Sequence, residues 1–212
     1  MILRPSFPYS LYLVISEKDC LGKDILEVAE RSILGGVDII QLREKNTSTE
    51  DFLRKAFALK EITDKYNIPL IINDHFEVAE KVGSAGIHVG NNDKAPSSLR
   101  NELFFKDKMI GYSIEYLSQL ENVNTELSDY LGISPIFNTN TKRDTVTEWG
   151  LEGLSKIKSL TDKPLVAIGN INSSNAASII KAGADALAVV SAICAAKDPE
   201  KAAYEIKNEI VK

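Results

Sequence analysis

Short runs of β-branched and aliphatic residues recur along the chain, and each is followed by a turn and then by residues with helical periodicity. The runs show no alternation of apolar and polar positions, so the strands that they predict are buried on both faces, as in a parallel sheet. The chain therefore reads as eight βα units in succession. The predicted strands are Leu11–Ile15, Ile39–Leu42, Leu70–Ile72, Gly86–Val89, Met109–Tyr112, Tyr130–Ile133, Leu165–Ile168 and Ala186–Val190.

The segments between these strands predict amphipathic helices with recognisable ends. Gly35 and Gly183 follow two of them, as glycine often does after the last turn of a helix. The clearest predicted helices are Ile25–Leu34, Glu50–Lys65, Ser174–Lys181 and a last one from Pro199 to about Val211. Apolar positions assign an inward side to two of these helices. In the second helix they are Phe52, Leu53, Ala56, Phe57 and Leu59, and in the last they are Ala202, Ala203, Ile206 and Ile210.

Eight βα units within 212 residues favour a closed (β/α)8 TIM barrel, an α/β fold with the strands inside and the helices outside. The alternative is an open doubly wound sheet, whose strongly apolar edge strands would need a cover. We find no linker, low-complexity segment or break in composition. We therefore expect a single domain over residues 1–212.

Composition and charge narrow the class of partner. The net charge of −5 argues against broad nucleic-acid binding, which normally requires a basic face. Pro5 and Pro8 interrupt the segment where a signal peptide needs an apolar stretch, and no apolar run approaches the ~20 residues of a membrane span. Cys20 and Cys194 show neither a disulfide framework nor metal-ligand spacing. We expect a cytoplasmic protein with small-molecule ligands and no membrane partner; homo-oligomer formation is left open.

Polar residues collect where the predicted strands end, at the face on which barrel enzymes build their sites. Each has a simpler explanation when taken alone: Arg43 and Glu44 could form a solvated ion pair, and Asp74 could cap the helix that begins near His75. Seven strand ends that each contribute such a residue favour a ligand site instead. The residues are Gln41, Arg43, Lys45, Asn73, Asp74, Asp93, Ser113, Thr139, Thr141, Lys142, Gly169, Asn170 and Ser191.

Asp74 and Asp93 place two carboxylates after neighbouring strands. Such a pair suits Mg²⁺, which takes a few protein oxygens and keeps positions for water and phosphate. A transition-metal site is disfavoured, because His88 is better explained as a hydrogen-bonded barrel histidine than as a ligand, and His75 is expected at the surface. No Ser–His or Cys–His pair stands out as a nucleophile with its base.

The turns after the last two strands, Gly169–Asn170 and Val190–Ser191, indicate a phosphate site. Many barrels bind a phosphate with backbone amides from these two loops. The alternative is a pair of tight βα turns without a ligand.

Several blocks, taken in order, resemble the thiamine phosphate synthase family, and the resemblance covers almost the whole chain. They are Gln41–Lys45, Asn73–Asp74, Gly86–Gly90 with Asp93, Gly111–Ser113 and Thr139–Lys142. The resemblance implies a transferase that condenses hydroxymethylpyrimidine diphosphate with hydroxyethylthiazole phosphate, releases pyrophosphate and forms thiamine phosphate.

The same resemblance implies roles for individual residues. Gln41 would lie near the pyrimidine, Mg²⁺ would be held by Asp74 and Asp93, and Ser113 would lie beside the reacting centre. Four basic and amide residues would contact the diphosphate: Arg43, Lys45, Asn73 and Lys142. Glu44 would belong to the same substrate-binding block. The thiazole phosphate would be taken by Thr139, Thr141, Gly169, Asn170, Val190 and Ser191. Arg43, Ser113 and Lys142 would be the catalytic residues.

The chain departs from the family pattern at a few positions. Asn170 replaces the second glycine after strand seven, Asn91 replaces a glutamine, and Ser134 and Asn138 replace a glycine and a proline. If residue 170 needs a positive φ, asparagine is among the few residues other than glycine that accept it. Two rival functions are a related thiazole tautomerase, which works without Mg²⁺, and a barrel that binds a ligand without catalysis.

Overall fold

A computed structural model describes residues 7–138 and 147–212 and shows eight parallel strands closed into a barrel. Each strand pairs with the next in sequence, and β8 pairs with β1 to close the ring. The closed (β/α)8 barrel is thus confirmed, and the open sheet is wrong. The strands are β1 Leu11–Ile15, β2 Ile39–Leu42, β3 Leu70–Asn73, β4 Gly86–Val89, β5 Met109–Ile114, β6 Tyr130–Ile133, β7 Leu165–Ile168 and β8 Ala186–Val189.

The helices lie outside the strands. Two 3₁₀ segments, Leu103–Phe105 and Leu117–Glu121, flank β5. The α-helices are α1 Ile25–Leu34, α2 Thr49–Lys65, α3 Phe76–Val82, α4 Pro96–Leu99, α5 Val123–Leu127, α6 Gly150–Leu160, α7 Ala176–Lys181, α8 Ser191–Cys194 and α9 Pro199–Ile210. None of the helices in the described ranges is long and apolar enough to cross a membrane.

Side-chain capping explains where several helices begin. Asp24 accepts a hydrogen bond from the backbone N–H of Leu26, and Ser48 accepts one from that of Asp51, so both satisfy N–H groups that have no partner inside their helix. α7 begins two residues later than predicted. The Asn172 side chain accepts from the backbone N–H and the hydroxyl of Ser174, and this local turn competes with the helix.

The inward side of α2 differs from the prediction at one position. Phe57, expected among the apolar contacts, is 50% exposed, whereas Phe52, Ala56 and Leu59 are buried. Residue 57 lies about 140° around the helix from residue 52, because an α-helix turns about 100° per residue. Thr63 takes the next inward position instead. In α9, Ala203 and Ile206 are buried as predicted.

The core has two layers because every strand is apolar on both faces. Side chains such as Leu11 and Leu13 point outward and pack under the helices. Their neighbours in sequence point into the barrel, where Tyr12, Val14 and Tyr130 form part of a second buried cluster. Burial on both faces explains why the strands show no apolar–polar alternation.

Three aspartates at the amino-terminal end of the barrel connect its strands. Asp38, Asp129 and Asp185 each accept a hydrogen bond from the first backbone N–H groups of a neighbouring strand and pair with a cation from an outer segment. The backbone donors are Leu11 at 2.8 Å, Ile110 at 2.7 Å and Leu165 at 2.8 Å, in that order. The cations are Lys207, Arg100 and Lys158.

The two cysteines meet across the seam where the barrel closes. Cys20 follows β1 and Cys194 ends α8, directly after β8, and both are free and buried. Each thiol shifts the pKa of the other, downward for Cys20 and upward for Cys194, and the Cys194 thiol donates to the Val14 carbonyl oxygen at 3.6 Å. Residues distant in sequence are thus adjacent, without a disulfide between them.

Candidate active site

A cavity of about 890 Å³, including its open mouth, lies at the carboxyl-terminal ends of the strands. Its floor is the inward face of the barrel, where Val14, Val166 and Ala188 supply apolar surface. We call it the first cavity. The structure brings seven of the predicted site residues to its wall. They are Gln41, Arg43, Lys45, Asn73, Asp74, Asp93 and Ser113.

The end of β2 turns its charged residues in opposite directions. Glu44 is directed to the outer layer, where it accepts from the Lys55 ammonium at 3.1 Å and from the Glu17 backbone N–H at 2.8 Å, and only 8% of its side chain is exposed. It lines a shallow outer depression and does not line the first cavity. The solvated Arg43–Glu44 pair is therefore not formed. Arg43 makes no ion pair with any described residue, so its guanidinium is available to a ligand.

Asp74 and Asp93 lie together at the rim, as expected from neighbouring strands. Asp74 does not cap α3: His75 is the N-cap residue, and no side chain caps that helix. Instead, the Lys45 ammonium lies 2.6 Å from Asp74 Oδ2, while Asp93 Oδ2 accepts from the Gly90 N–H at 2.8 Å. Burial, together with the proximity of Asp74, raises the pKa of Asp93 despite the Gly90 hydrogen bond and the Lys45 charge.

This pair of carboxylates has the donor chemistry of a magnesium site. Two carboxylates share one lysine, so the rim carries excess negative charge that a hard cation would offset. Within residues 7–138 and 147–212, no group of three or more His, Cys, Asp or Glu side chains converges. The described residues thus offer two carboxylates at this rim and not the four side-chain ligands typical of a structural transition-metal site.

A chain of buried hydrogen bonds crosses the barrel interior beneath the first cavity. It runs from Gln41 through Tyr12, Tyr130 and His88 to Ser113, and we call it the interior chain. The successive contacts are Gln41 Nε2 to Tyr12 OH at 2.8 Å, Tyr12 OH to Tyr130 OH at 2.9 Å, Tyr130 OH to His88 Nδ1 at 3.2 Å and His88 Nε2 to Ser113 Oγ at 2.9 Å. His88 is thus a hydrogen-bonded interior histidine, as predicted.

The interior chain corrects one expectation and adds two residues. Ser113 and His88 form a Ser–His hydrogen bond that the sequence did not reveal, because the two residues lie on different strands. The far side of the imidazole, Nδ1, lies 3.2 Å from the hydroxyl of Tyr130. Tyr12 and Tyr130 were not predicted as site residues, since each falls inside an apolar strand. The only available signal was a polar aromatic at an inward strand position.

Two glycines make room for this chain. A Cβ atom at Gly111 would lie 2.2 Å from Tyr130 Cζ and 2.4 Å from His88 Nδ1, and a Cβ at Gly132 would lie 2.8 Å from His88 Cε1. Neither the phenol nor the imidazole can move away within a packed barrel. The glycines of β5 and β6 therefore set the width of the pocket floor.

A second cavity, of about 580 Å³, lies beside the first at the ends of β7 and β8. Gly169, Asn170, Val190 and Ser191 line it, as predicted. Gly169 has φ 119° and Asn170 has φ 52°, so residue 170 does require the left-handed region that asparagine tolerates. No hydrogen bond among the described residues uses the backbone N–H of Asn170 or Ser191, which leaves both able to donate to an anion.

The two cavities share a wall formed by the inward faces of four strands and Arg43. The shared residues are Val14, Arg43, Ser134, Ile168 and Ala188. Two ligands bound side by side would therefore meet at this wall, with the guanidinium beside both. Thr139, Thr141 and Lys142 lie outside the described residues.

Asn91, one of the departures from the family pattern, is held in place by its neighbours. Its side-chain oxygen accepts from Tyr112 OH at 2.6 Å and from Gln119 Nε2 at 2.6 Å, and its amide donates to Glu115 Oε2 at 2.6 Å. Asn91 and Glu115 both line the first cavity, and neither was predicted as a site residue. The network is formed by side chains far apart in sequence.

Comparison with known proteins gives a consistent result. The family model described as thiamine monophosphate synthase matches residues 11–193. A thiamine-phosphate synthase of Albidiferax ferrireducens is 44% identical over 94% of this chain and 91% of its own, and one of Clostridium beijerinckii is 40% identical over 99% and 100%. The solved thiamine phosphate pyrophosphorylase of Pyrococcus furiosus superposes with a TM-score of 0.86 at 29% identity, covering 96% of both chains.

Proposed function

Because the chain belongs to the thiamine monophosphate synthase family, we propose that its two adjoining cavities divide the substrates of that reaction between them. The chain is a transferase that condenses hydroxymethylpyrimidine diphosphate with hydroxyethylthiazole phosphate, giving thiamine phosphate and pyrophosphate. The proposal concerns which residues act on which substrate. The observation that carries it is the shared wall, which brings a cavity lined by Arg43, Lys45 and two aspartates into contact with a cavity at the ends of β7 and β8.

The first cavity takes the pyrimidine diphosphate. Its apolar floor suits a flat ring, with Gln41 and Ser113 as polar groups at the edge of that floor. Arg43, Lys45 and Asn73 lie at the mouth, where their N–H groups can donate to phosphate oxygens. Lys142, which lies outside the described residues, is proposed to act on the same diphosphate.

Mg²⁺ is proposed to bind to Asp74 and Asp93 and to the diphosphate. The pair supplies carboxylate oxygens. Because Lys45 offsets the charge of only one of the two carboxylates, a bound cation would be stabilised there. When bound, the ion would neutralise charge on the departing pyrophosphate. Lys45, now on Asp74, would then be released to a phosphate oxygen.

The second cavity takes the thiazole phosphate. The backbone N–H groups of Asn170 and Ser191, which donate to no residue in the described ranges, can donate to phosphate oxygens. Thr139 and Thr141 are proposed to contribute from the loop after β6. The shared wall then leaves the thiazole nitrogen facing the carbon of the pyrimidine that carries the diphosphate.

The reaction requires no nucleophilic side chain. The carbon–oxygen bond to the diphosphate breaks with its electron pair going to pyrophosphate, and the electron-rich aminopyrimidine stabilises the resulting cation. The lone pair of the thiazole nitrogen then forms the carbon–nitrogen bond. The protein's main task is to stabilise the charge that develops on the leaving group, which Arg43 and Lys45 are placed to do. Ser113 is proposed to hold the pyrimidine beside this centre.

We also propose that the chain works in the cytoplasm. Its two cysteines are free although they touch, which suits a reducing compartment.

The assay for this proposal combines purified protein with both substrates and Mg²⁺. Thiamine phosphate and pyrophosphate are expected in equal amounts, and neither with one substrate omitted or with EDTA in excess. Product formed at an undiminished rate in EDTA would remove the metal from the proposal. Interconversion of thiazole isomers without pyrophosphate would instead support the tautomerase.

A further inference from the structure

The interior chain has a direction, and all five of its members line the first cavity, with Gln41 and Ser113 at the two ends. We propose that Tyr12 and Tyr130 fix this direction and thereby select an aminopyrimidine over an oxopyrimidine. They would act as positioning residues, through Gln41 and Ser113, without touching the substrate. This inference rests on the proposed placement of the pyrimidine in the first cavity.

The direction follows from matching donors to acceptors. Gln41 Nε2 donates to Tyr12 OH, so the Tyr12 hydroxyl hydrogen must go elsewhere. Among the described residues its one remaining partner is Tyr130 OH, which therefore accepts. Tyr130 then gives its own hydrogen to His88 Nδ1. A neutral imidazole that accepts at Nδ1 carries its hydrogen on Nε2, so His88 donates to Ser113 Oγ.

Both tyrosines keep their hydrogens. They are 1% and 0% exposed, and burial raises the pKa of each well above that of a free phenol. Phe7 packs on the Tyr130 ring with centroids 4.5 Å apart and seals the lower side. Both phenols of the interior chain therefore stay neutral, and each keeps its hydrogen for the next acceptor.

The two ends present a fixed pattern to the ligand. Among the described residues, Gln41 Oε1 accepts no hydrogen bond, and the Ser113 hydroxyl, which accepts from His88, donates its own hydrogen to no group, so both can bind a ligand. An aminopyrimidine offers the complement: an amino group that donates and an unprotonated ring nitrogen that accepts. An oxopyrimidine in its lactam form offers the reverse. To match an oxopyrimidine, every hydrogen bond of the interior chain would have to exchange its donor and acceptor, because the position of each hydrogen depends on that of the next.

The direction also explains why the Ser113–His88 pair does not form a nucleophile with its base. With the hydrogen on Nε2, the imidazole donates to Ser113 and cannot remove its proton. The opposite direction would leave Nε2 as a base.

The first experiment reads the His88 tautomer directly by ¹⁵N NMR. The chain has two histidines, so a His75→Gln variant leaves the signals of His88 alone. We expect a neutral ring with the hydrogen on Nε2 and the lone pair on Nδ1, in wild-type protein and without substrate. A hydrogen on Nδ1 would overturn the proposed direction, whether or not the enzyme makes thiamine phosphate.

The second experiment compares aminopyrimidine and oxopyrimidine diphosphates in Tyr130→Phe and Tyr12→Phe. The ratio of their kcat/KM values should fall about tenfold in Tyr130→Phe, because His88 can then adopt either tautomer. It should fall less in Tyr12→Phe, where Tyr130 still donates to His88. The KM for the thiazole phosphate should not change.

Tyr112→Phe is the matched control. Tyr112 is also a buried tyrosine on a barrel strand, and its hydroxyl is hydrogen-bonded. Its partners, however, are Asn91 and Gln119, which do not belong to the interior chain. Its selectivity ratio should equal that of the wild type. An unchanged ratio in a folded Tyr130→Phe protein, or an equal fall in Tyr112→Phe, would refute the proposal. Absence of condensation by the wild type, with the expected tautomer present, would refute the proposed function and the selectivity but not the direction of the chain.

Discussion

The two ends of the barrel surround their aspartates differently. At the amino-terminal end, Asp38, Asp129 and Asp185 each have a cation and a strand N–H group as partners. At the carboxyl-terminal end, Asp74 and Asp93 lie against each other, and among the described cations only Lys45 forms an ion pair with either of them. Each lower carboxylate thus has its own cation within the protein, although the buried Asp129 Oδ1 has no hydrogen-bond partner among the described residues, while the upper pair shares one lysine.

The direction of the pKa shifts follows this difference. Burial alone would raise the pKa of Asp38, but hydrogen bonds from Lys207 and from the backbone of Leu11 and Ser10 outweigh it and lower that pKa. At Asp93, burial and the neighbouring carboxylate prevail, and the pKa rises. Ionised aspartates thus stabilise the fold at the amino-terminal end of the barrel and destabilise it at the carboxyl-terminal end. The carboxyl-terminal end is where barrel enzymes bind their ligands.

The largest expected effect is the loss of activity in Asp93→Asn. Removing a metal carboxylate should lower kcat by about a thousandfold, or ~4 kcal/mol, and raise the Mg²⁺ concentration required. The melting temperature should not fall, because the change relieves repulsion with Asp74 and an amide oxygen can still accept from Gly90. Turnover at several Mg²⁺ concentrations and a thermal melt check both parts. Metal dependence equal to that of the wild type would place the cation elsewhere.

The same substitution at the lower end should have the opposite outcome. Asp129→Asn leaves the Arg100 guanidinium, only 11% exposed, without its counter-charge. We expect the free energy of unfolding to fall by about 3 kcal/mol, while kcat of the folded enzyme stays within twofold. Urea unfolding, with activity measured on the folded fraction, tests this prediction. A loss of activity larger than the loss of stability would contradict the division between the two ends.

A smaller effect concerns the pH dependence of stability. The folded pKa of Asp38 is lowered, so its carboxylate stabilises the fold above its unfolded pKa of ~3.9 and loses that contribution as the pH falls through the folded value. Asp38→Asn should therefore melt roughly 3 °C below the wild type at pH 7, and the two curves should converge below pH ~4. Melts across this range provide the measurement. A constant difference at all pH values would mean that ionisation of Asp38 is not responsible.

The smallest effect is expected at Asn170. Its φ of 52° is one that asparagine accepts, its side chain is exposed, and its carbonyl oxygen is held by Asn175 Nδ2 at 2.9 Å. Asn170→Gly should therefore change the KM for the thiazole phosphate by less than about tenfold, or ~1.4 kcal/mol, with kcat nearly constant. Steady-state kinetics at saturating pyrimidine diphosphate measure it. A much larger gain in affinity would show that the natural side chain obstructs the phosphate.

Much of the fold could be predicted because its local and global signals agree. Five strands have the predicted bounds, since strands buried on both faces read as unbroken apolar runs. The strand ends Asn73 and Ile114 were missed because a polar residue looks like a boundary, although each pairs with the neighbouring strand. The charged rim was predictable for a related reason: residues that directly follow parallel strands meet at one face.

Contacts across the barrel could not be predicted. The side chain of Glu44 is directed outward by Lys55 in the next helix. The aspartates at the amino-terminal end pair with cations up to 169 residues away in sequence. Tyr12 and Tyr130 look like ordinary core residues until the register of their strands places both hydroxyls on one line with Gln41 and His88. Spacing along one strand carries no information about such partners.

The meeting of Cys20 and Cys194 gives this barrel a natural reporter of its own opening. Because the two thiols lie on either side of the β1–β8 seam and are fully buried, a thiol-specific reagent can reach them only when that seam separates. The rate of labelling would therefore report how often β1 and β8 separate. A ligand that bridges the shared wall spans Val14 of β1 and Ala188 of β8, and it should slow that motion without any engineered probe in the chain.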